Sequence, residues 1–132
     1  MTERVIAAAI EVHKHLGPGL LESVYQRSLE HELSIRRIRF RKQVPVPVTY
    51  KGVAVGDGLR LDLLIEDLVI VEIKSVADLD PIHGAQLLTY MRLAHIPVGL
   101  LINFNAPRLI DGVTRKVLSE LLPPSASSAP LR

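Results

Sequence analysis

The sequence predicts a mixed α/β domain, or α+β by the stricter definition, with a central β-sheet flanked by helices. Apolar residues recur at helical spacing through residues 1–35, and from residue 38 the spacing changes to the alternation typical of strands. A later helical stretch separates two strongly apolar segments, which predicts a crossover between parallel strands. The predicted order is α-α-β-β-β-α-β, and the segment after it is left open.

Two helices are predicted before the first strand. Thr2 and Glu3 suit the start of the first helix, and Gly17-Pro18-Gly19 ends it. The second helix should run from near Leu20 to about Leu33. Its predicted buried stripe consists of Leu21, Val24, Leu29 and Leu33.

Three strands should follow these helices. In residues 38–50 the even positions are mostly apolar, which predicts one buried face. Pro45 and Pro47 predict a position at the edge of the sheet, because proline cannot donate a ladder hydrogen bond. The other two strands are predicted at Leu59 to Ile65 and at Leu68 to Lys74, joined near Glu66-Asp67.

The C-terminal part should hold a third helix, another strand and a tail. Asp80-Pro81 is typical of an N-cap followed by proline at the first helical position, so this helix should run to about Ala94. Residues 97–104 are predicted to form an apolar strand, and residues 113–118 a last strand or a short helix. The predicted division is a domain of residues 1–118 and a flexible Pro/Ser/Ala-rich tail of residues 119–132.

The composition narrows the class of protein. The chain has 132 residues, 48% of them hydrophobic, which suits one domain with a real core. It has no Cys, so disulfides and thiolate metal sites are excluded. We expect a cytoplasmic protein, since no signal pattern begins the chain and no apolar run approaches the ~18 residues of a membrane span. The net charge of +2 does not by itself call for a nucleic-acid partner.

Three charged residues stand out because each lies in or at the end of an apolar strand: Asp62, Glu72 and Lys74. Burying an unpaired charge is costly, so charges in such strands need a reason. Strand alternation puts Glu72 and Lys74 on one face. Two carboxylates could bind Mg²⁺, which activates water, while a lysine orients that water or offsets developing charge on a phosphate. The alternative is a structural salt bridge between Lys74 and a carboxylate.

Strand register decides whether the two carboxylates can share a metal. A strict two-residue turn at Glu66-Asp67 would pair Asp62 with Val71 and point its side chain away from Glu72. A three-residue turn or a bulge would pair Asp62 with Glu72. We predict this odd-length connection.

Several separated segments of the chain match motifs of known proteins. Asp62 is followed after a spacer by Glu72-Ile73-Lys74, and residues 19–25 read Gly-Leu-Leu-Glu-Ser-Val-Tyr. The first pattern resembles the core motif of the PD-(D/E)XK nuclease superfamily, and the second resembles the G-x-x-E-x-x-Y signature of its GxxExxY protein family. The superfamily's Pro before the first acid is missing, because Leu61 stands there. The resemblance covers roughly residues 4 to 118 and includes further segments in the expected order, at residues 12–19, 86–90, 99–104 and 111–115.

The resemblance implies a restriction-endonuclease-like core and a metal-dependent nuclease that uses Mg²⁺ or Mn²⁺. It also implies a role for individual residues. The implied set is Asp62 and Glu72 as metal-binding acids, Lys74 as the catalytic lysine, Glu22 as an acid from the first core helix, and Gln86 as the polar residue of the following helix. We further expect the Ile73 main-chain carbonyl to add a metal ligand, and Glu22 to act on the metal through water or on Lys74.

Helical spacing adds neighbours to this set, each with a second interpretation. Glu22 and Tyr25 share a helix face. Glu22 also suits the first turn of a helix through the helix dipole alone. Tyr25 is predicted as a core aromatic with its hydroxyl available to support Glu22. His83, Gln86 and Tyr90 form a polar stripe that either borders the site, with Tyr90 in a supporting role, or is a solvated helix face.

Arg37, Arg39 and Arg41 are predicted to share one face of the first strand. They could bind the phosphates of a nucleic acid. They could equally be charges on an edge strand that discourage aggregation. Both interpretations stay open.

The function that these observations favour is hydrolysis of phosphodiester bonds in nucleic acid, with DNA as the expected substrate. A homodimer is expected, because a small domain without a separate recognition domain needs a second copy to span a duplex. The alternative is a catalytically silent module on the same fold that binds nucleic acid or mediates oligomerisation.

Overall fold

The described part of the chain begins with two helices, continues with five strands, and then has a third helix followed by two more strands. A computed structural model describes residues 1–123. The strands are β1 (Phe40–Val46), β2 (Thr49–Tyr50), β3 (Val53–Ala54), β4 (Leu59–Ile65), β5 (Val69–Lys74), β6 (Val98–Asn103) and β7 (Val113–Val117). The helices are α1 (Thr2–Leu16), α2 (Glu22–Ile35) and α3 (Pro81–Ala94), with short 3₁₀ turns at Leu109–Gly112 and Ser119–Leu121.

One mixed sheet organises these elements. Its strand order is β1-β4-β5-β6-β7, and β2 pairs with β3 in a separate ribbon. β5 and β6 are parallel, whereas the other neighbouring strands are antiparallel. The predicted parallel pair across α3, the edge position of β1 and the central position of β5 are therefore confirmed, as is the mixed α+β class.

Helices cover both faces of the sheet, and each face has its own core. α1 and α2 pack on the face that includes Leu63, Val71 and Ile73. α3 packs on the face that includes Leu64 and Ile70. Because both faces are covered, an accessible site must lie at a sheet edge or at the strand ends. No helix among the described residues has the length and hydropathy to cross a membrane.

The second helix differs from its prediction at the N-terminal end. α2 begins at Glu22, and its buried residues are Tyr25, Leu29 and Leu33. Leu21 is 74% exposed and Val24 is 39% exposed, so the prediction that both are buried is wrong. The buried stripe runs through Tyr25, Leu29 and Leu33, because residues spaced by four lie on one side of a helix. Val24, the neighbour of Tyr25, therefore points outward.

The segment predicted as one strand from 38 to 50 is in fact divided. β1 ends at Val46, and Thr49–Tyr50 turns back at Lys51-Gly52 to pair with Val53–Ala54. The expected alternation also breaks inside β1. Phe40 packs with the core under α1 and α2, whereas Val44 packs with the core under α3. The break falls at Gln43, which has a left-handed φ of 48°.

The C-terminal part follows the sequence closely. α3 has Asp80 as its N-cap and Pro81 as its first residue, as predicted. Residues 113–117 form a strand rather than the alternative short helix. The tail prediction for residues 119–132 concerns mainly residues 124–132, which lie outside the described part, and the domain division at residue 118 stays a prediction.

Candidate functional site

Strands β4 and β5 bring Asp62 and Glu72 opposite one another. Ile65 pairs with Val69, which leaves three residues in the connection, and Leu63 pairs with Val71. The next pair in this register is Asp62 with Glu72. The predicted odd-length connection is therefore confirmed.

The two carboxylates interrupt the hydrogen bonding between the strands. The main-chain N–H of Asp62 donates to Glu72 Oε1 at 3.2 Å. The N–H of Ile73 donates to Asp62 Oδ2 at 2.9 Å, although the register would place it opposite Leu61. Side-chain oxygens thus replace main-chain acceptors, and both carboxyl groups are fixed by main-chain donors at the end of the β4–β5 pair.

The pairing of β4 with its other neighbour, β1, is also irregular at Asp62. Gln43 lies opposite Asp62 in the β1–β4 register, but the regular pairing skips these two residues. The Asp62 carbonyl instead accepts a hydrogen bond from Gln26 Nε2 at 3.2 Å. Gln43 Nε2 donates to Gln26 Oε1 at 3.2 Å, and Gln26 Nε2 also donates to Glu30 at 3.1 Å. A side chain from α2 therefore satisfies the backbone of Asp62.

Gln26 was not among the residues predicted from the sequence. One signal pointed to it, because it follows Glu22 by four positions and so lies on the same side of the helix. Asn103 was missed as well. It is buried at the end of β6, next to Lys74 in the parallel register, and its amide exchanges hydrogen bonds of 3.0 and 3.1 Å with the backbone of Val76. It holds the segment that leaves β5 after Lys74.

Burial and repulsion dominate the electrostatics of Glu72. Its side chain is in the protein interior, with 8% relative exposure. Burial raises the pKa of Glu72 to about 9, and the negative charge of Asp62 acts in the same direction. Lys74 opposes this shift but is a smaller influence. Burial, followed by the charges of Glu72 and Asp62, also raises the pKa of Tyr90.

A small cavity joins Glu72 to α3. Its volume of about 30 Å³ gives room on the order of one or two water molecules. Lys74 lines it without a salt bridge to any acid among residues 1–123. The lining residues are Glu72, Lys74, His83, Gln86, Leu87, Tyr90 and Leu101. The structure thus brings Lys74, Gln86 and Tyr90 to the same cavity as Glu72.

The imidazole of His83 accepts a hydrogen bond from the Asp80 N–H at 3.1 Å and so closes the first turn of α3.

Glu22 lies near this end of the sheet but not in the carboxylate pair. It is exposed and begins α2. The hydroxyl of Ser75 donates to the Leu20 carbonyl at 2.6 Å, which fixes the start of α2 to the end of β5. Within residues 1–123, no group of three or more His, Cys, Asp or Glu side chains is arranged to hold a metal ion. The carboxylate of Glu22 therefore does not join Asp62 and Glu72 directly.

Tyr25 has a different partner from the one expected. Its ring is fully buried and stacks on Phe104, with 4.7 Å between ring centroids. Its hydroxyl donates to the Gly17 carbonyl and accepts from the Leu20 N–H. The expectation that this hydroxyl supports Glu22 is wrong, because both of its bonds go to the backbone. Tyr25 braces the corner between α1 and α2.

The three arginines do not share a strand face. β1 begins at Phe40, and Arg37 lies in the preceding turn with a left-handed φ of 58°. Arg39 pairs with Glu66 at 3.1 Å, and Arg41 pairs with Asp67 at 2.9 Å. Hydrogen bonds from the main chain and guanidinium of Arg39 lower the pKa of Glu66. These pairs sit at the β4–β5 turn, four residues or ~13 Å along the strand from Asp62, and so away from the carboxylates.

Comparison with known families agrees with this fold. The family model of the PD-(D/E)XK nuclease superfamily matches residues 1–116, so the chain belongs to that superfamily. Its members are generally nucleases and typically use divalent metals. The narrower GxxExxY family stays a prediction. No curated protein and no solved structure gave a significant match.

Proposed function

We propose that this protein is a metal-dependent nuclease that hydrolyses phosphodiester bonds in DNA. The observation that carries the proposal is the pairing of Asp62 with Glu72 at the end of the β4–β5 pair, with Lys74 two residues further along β5. Membership of a superfamily of nucleases supports it. Beyond membership of the superfamily, the proposal specifies a cofactor, roles for single residues and a substrate.

The donor set suits a hard divalent cation. The ligands that Asp62 and Glu72 offer are carboxylate oxygens, which Mg²⁺ and Mn²⁺ accept. Their mutual repulsion, which helps to raise the pKa of Glu72, is the kind of energetic cost that a bound cation relieves. The Ile73 carbonyl is proposed as a further ligand, and Glu22 as an acid that acts through water. When bound, the metal would polarise a phosphoryl oxygen and lower the pKa of a water molecule.

The remaining residues of the cavity handle the attacking water and the phosphate. Lys74 lines the same cavity as Glu72, where its ammonium can orient water or stabilise charge on the phosphate. Gln86 reaches the same cavity from α3 and can hold water by its amide. Tyr90 lines the same cavity as Glu72 and is proposed to support the site from α3.

A cleavage assay with matched variants tests the proposal. Linear and plasmid DNA, and an RNA of the same sequence, are incubated with purified protein in Mg²⁺, Mn²⁺ or EDTA. We expect DNA cleavage that requires the metal and that Lys74→Ala and Glu72→Gln abolish, because each removes one element of the site. Lys14→Ala, which removes an exposed cation of α1, is the control and should cleave like the wild type.

The outcomes separate the proposal from its alternatives. Undiminished cleavage by folded Lys74→Ala would overturn the assignment of the site. Preferred cleavage of RNA would overturn the substrate. Binding of DNA without cleavage under any metal would favour the catalytically silent module. Light scattering on the same samples measures whether the active species is the homodimer, which we propose as the species that spans a duplex.

A further inference from the structure

The ribbon of β2 and β3 forms an exposed arm with an apolar side. Thr49 pairs with Ala54 and Tyr50 pairs with Val53, and the N–H of Val55 donates to Val48 at 2.9 Å. Every residue from 49 to 58 is exposed. Strand alternation puts four residues of the ribbon on one side, namely Val48, Tyr50, Val53 and Val55. Tyr50 is 64% exposed and Val53 is 62% exposed, so the pair at the tip has no cover within the described chain.

The arm leaves the sheet at the end where the carboxylates lie. Val46 and Leu59, the residues on either side of the arm, pair with each other. Asp62 follows Leu59 by three residues, ~10 Å along the strand. Because β4 and β5 are antiparallel, Lys74 ends β5 on this same side. The arm therefore emerges at the end of the sheet that holds the proposed catalytic carboxylates and not at the end that holds the arginine pairs.

The charges of this region are mostly positive. From residue 47 to residue 60 the cations are Lys51 and Arg60, and the one acid is Asp57. Arg41 and Lys42 lie further along β1 and pair with Asp67 and Glu30. Lys51 and Arg60 have no salt-bridge partner among residues 1–123. The ammonium of Lys51 lies 5.3 Å from the centre of the Tyr50 ring. An exposed aromatic face beside an unpaired cation suits a base stacked on the ring and a phosphate on the ammonium.

We infer that the β2–β3 ribbon is a nucleic-acid-binding arm that holds the substrate strand beside the pair of Asp62 and Glu72. Tyr50 stacks on a base and Lys51 contacts a phosphate. The inference rests on the proposed function for its choice of occupant, since the charge and position of the arm match a polyanion bound at the neighbouring site. In this inference the arm contributes to the affinity for the substrate strand and takes no part in the chemical step.

Binding without turnover tests the arm separately from the nuclease activity. Fluorescence anisotropy in EDTA measures the affinity for a labelled 20-nucleotide single strand and for the corresponding duplex, in DNA and RNA. We expect Tyr50→Ala to weaken binding of at least one probe by at least about fivefold, because stacking on a base is lost. Tyr50→Phe should keep the affinity, because it retains the ring. Ile35→Ala, which trims an exposed apolar residue at the end of α2, is the control and should bind like the wild type.

The salt dependence gives a second readout. Lys51→Gln should reduce the slope of log affinity against log salt by about 0.7 for a single strand or 0.9 for a duplex, because one phosphate contact is lost. Lys14→Gln, which removes an exposed cation of α1, should leave the slope unchanged. All these positions are exposed, so each variant should melt at the wild-type temperature.

The results have distinct meanings for the two proposals. Wild-type affinity in both Tyr50→Ala and Lys51→Gln overturns the arm, even if the protein cleaves DNA. So does wild-type protein that binds none of the probes. A Tyr50→Ala variant that changes from dimer to monomer with an unchanged affinity assigns the ribbon to a protein interface instead. Loss of affinity in both variants supports the arm, even if the wild type cleaves nothing and the nuclease proposal fails.

Discussion

Glu72 Oε1 accepts a hydrogen bond from the main-chain N–H of Asp62 at 3.2 Å, so the buried carboxyl of one residue is tied to the backbone of the other. This contact keeps two acids together even though burial and the charge of Asp62 disfavour ionisation of Glu72. The site is consequently a source of instability whenever both groups are charged. Several measurable properties follow from the unfavourable ionisation of Glu72 and from the contacts that hold the two acids together.

The first prediction concerns the pH dependence of stability. The pKa of Glu72 rises from an ordinary value of 4.5 to about 9 in the folded protein. A raised folded-state pKa contributes stability that is fully present below pH 4.5 and is lost as the pH rises to about 9. Glu72→Gln removes this loss. The measurement is urea unfolding at several pH values in EDTA. As the pH rises, the free energy of unfolding of the wild type should fall relative to that of Glu72→Gln, by at most about 1.4 kcal/mol per pH unit.

An exposed acid supplies the control for this experiment. Glu120→Gln, at an exposed position of the short turn after β7, should follow the wild-type pH profile. Parallel profiles of the wild type and Glu72→Gln would contradict the raised pKa.

The second prediction concerns the metal. A cation that binds the folded state raises its stability by mass action. At tenfold excess over Kd, Mg²⁺ or Mn²⁺ should raise the Tm of the wild type by about 4 °C. Asp62→Asn and Glu72→Gln should lose this increase, whereas Glu120→Gln should keep it. An equal increase in all four proteins would place the binding elsewhere.

The third prediction concerns Gln26, which holds the carbonyl of Asp62. Gln26→Leu keeps the size of the side chain but removes its donor. Its unfolding free energy should fall by about 1 kcal/mol. The metal concentration for half-maximal cleavage should rise about tenfold, because partners that orient a ligand tune its affinity. Arg27→Leu, at the exposed neighbouring position, should change neither value, and an unchanged metal requirement in Gln26→Leu would limit Gln26 to a role in folding.

The fourth prediction concerns the corner between α1 and α2. Tyr25→Phe keeps the stack on Phe104 but removes the hydroxyl that bonds to Gly17 and Leu20. The free energy of unfolding should fall by about 1–3 kcal/mol, because these main-chain groups lose a partly buried partner. Tyr50→Phe is the matched control, since that residue is exposed on the ribbon. Equal unfolding midpoints of the two variants would contradict the bracing role.

Much of the fold was predictable because local rules agreed with the tertiary structure. Asp80-Pro81 began a helix where capping rules placed it, and the apolar run of β5 was central. The register of Asp62 with Glu72 followed from a simple condition, namely that two acids must face each other to share a metal. That condition required an odd-length turn, and the turn has three residues.

The rest depended on contacts between distant parts of the chain. The left-handed φ of Gln43 and the switch of core within β1 accompany the irregular pairing at Asp62, which no local pattern encodes. The pairs of Arg39 with Glu66 and of Arg41 with Asp67 join positions 27 and 26 residues apart. An arginine cluster therefore resembled a phosphate site until its partners were known.

Pro45 has a consequence for assembly. It lies inside the edge strand β1, where the pairing with β4 is continuous from Val44 to Val46. Because proline has no N–H, the outer border of β1 lacks a main-chain donor at this position. A strand from a second copy that paired here would miss one hydrogen bond of its ladder, which disfavours a continuous sheet across two molecules.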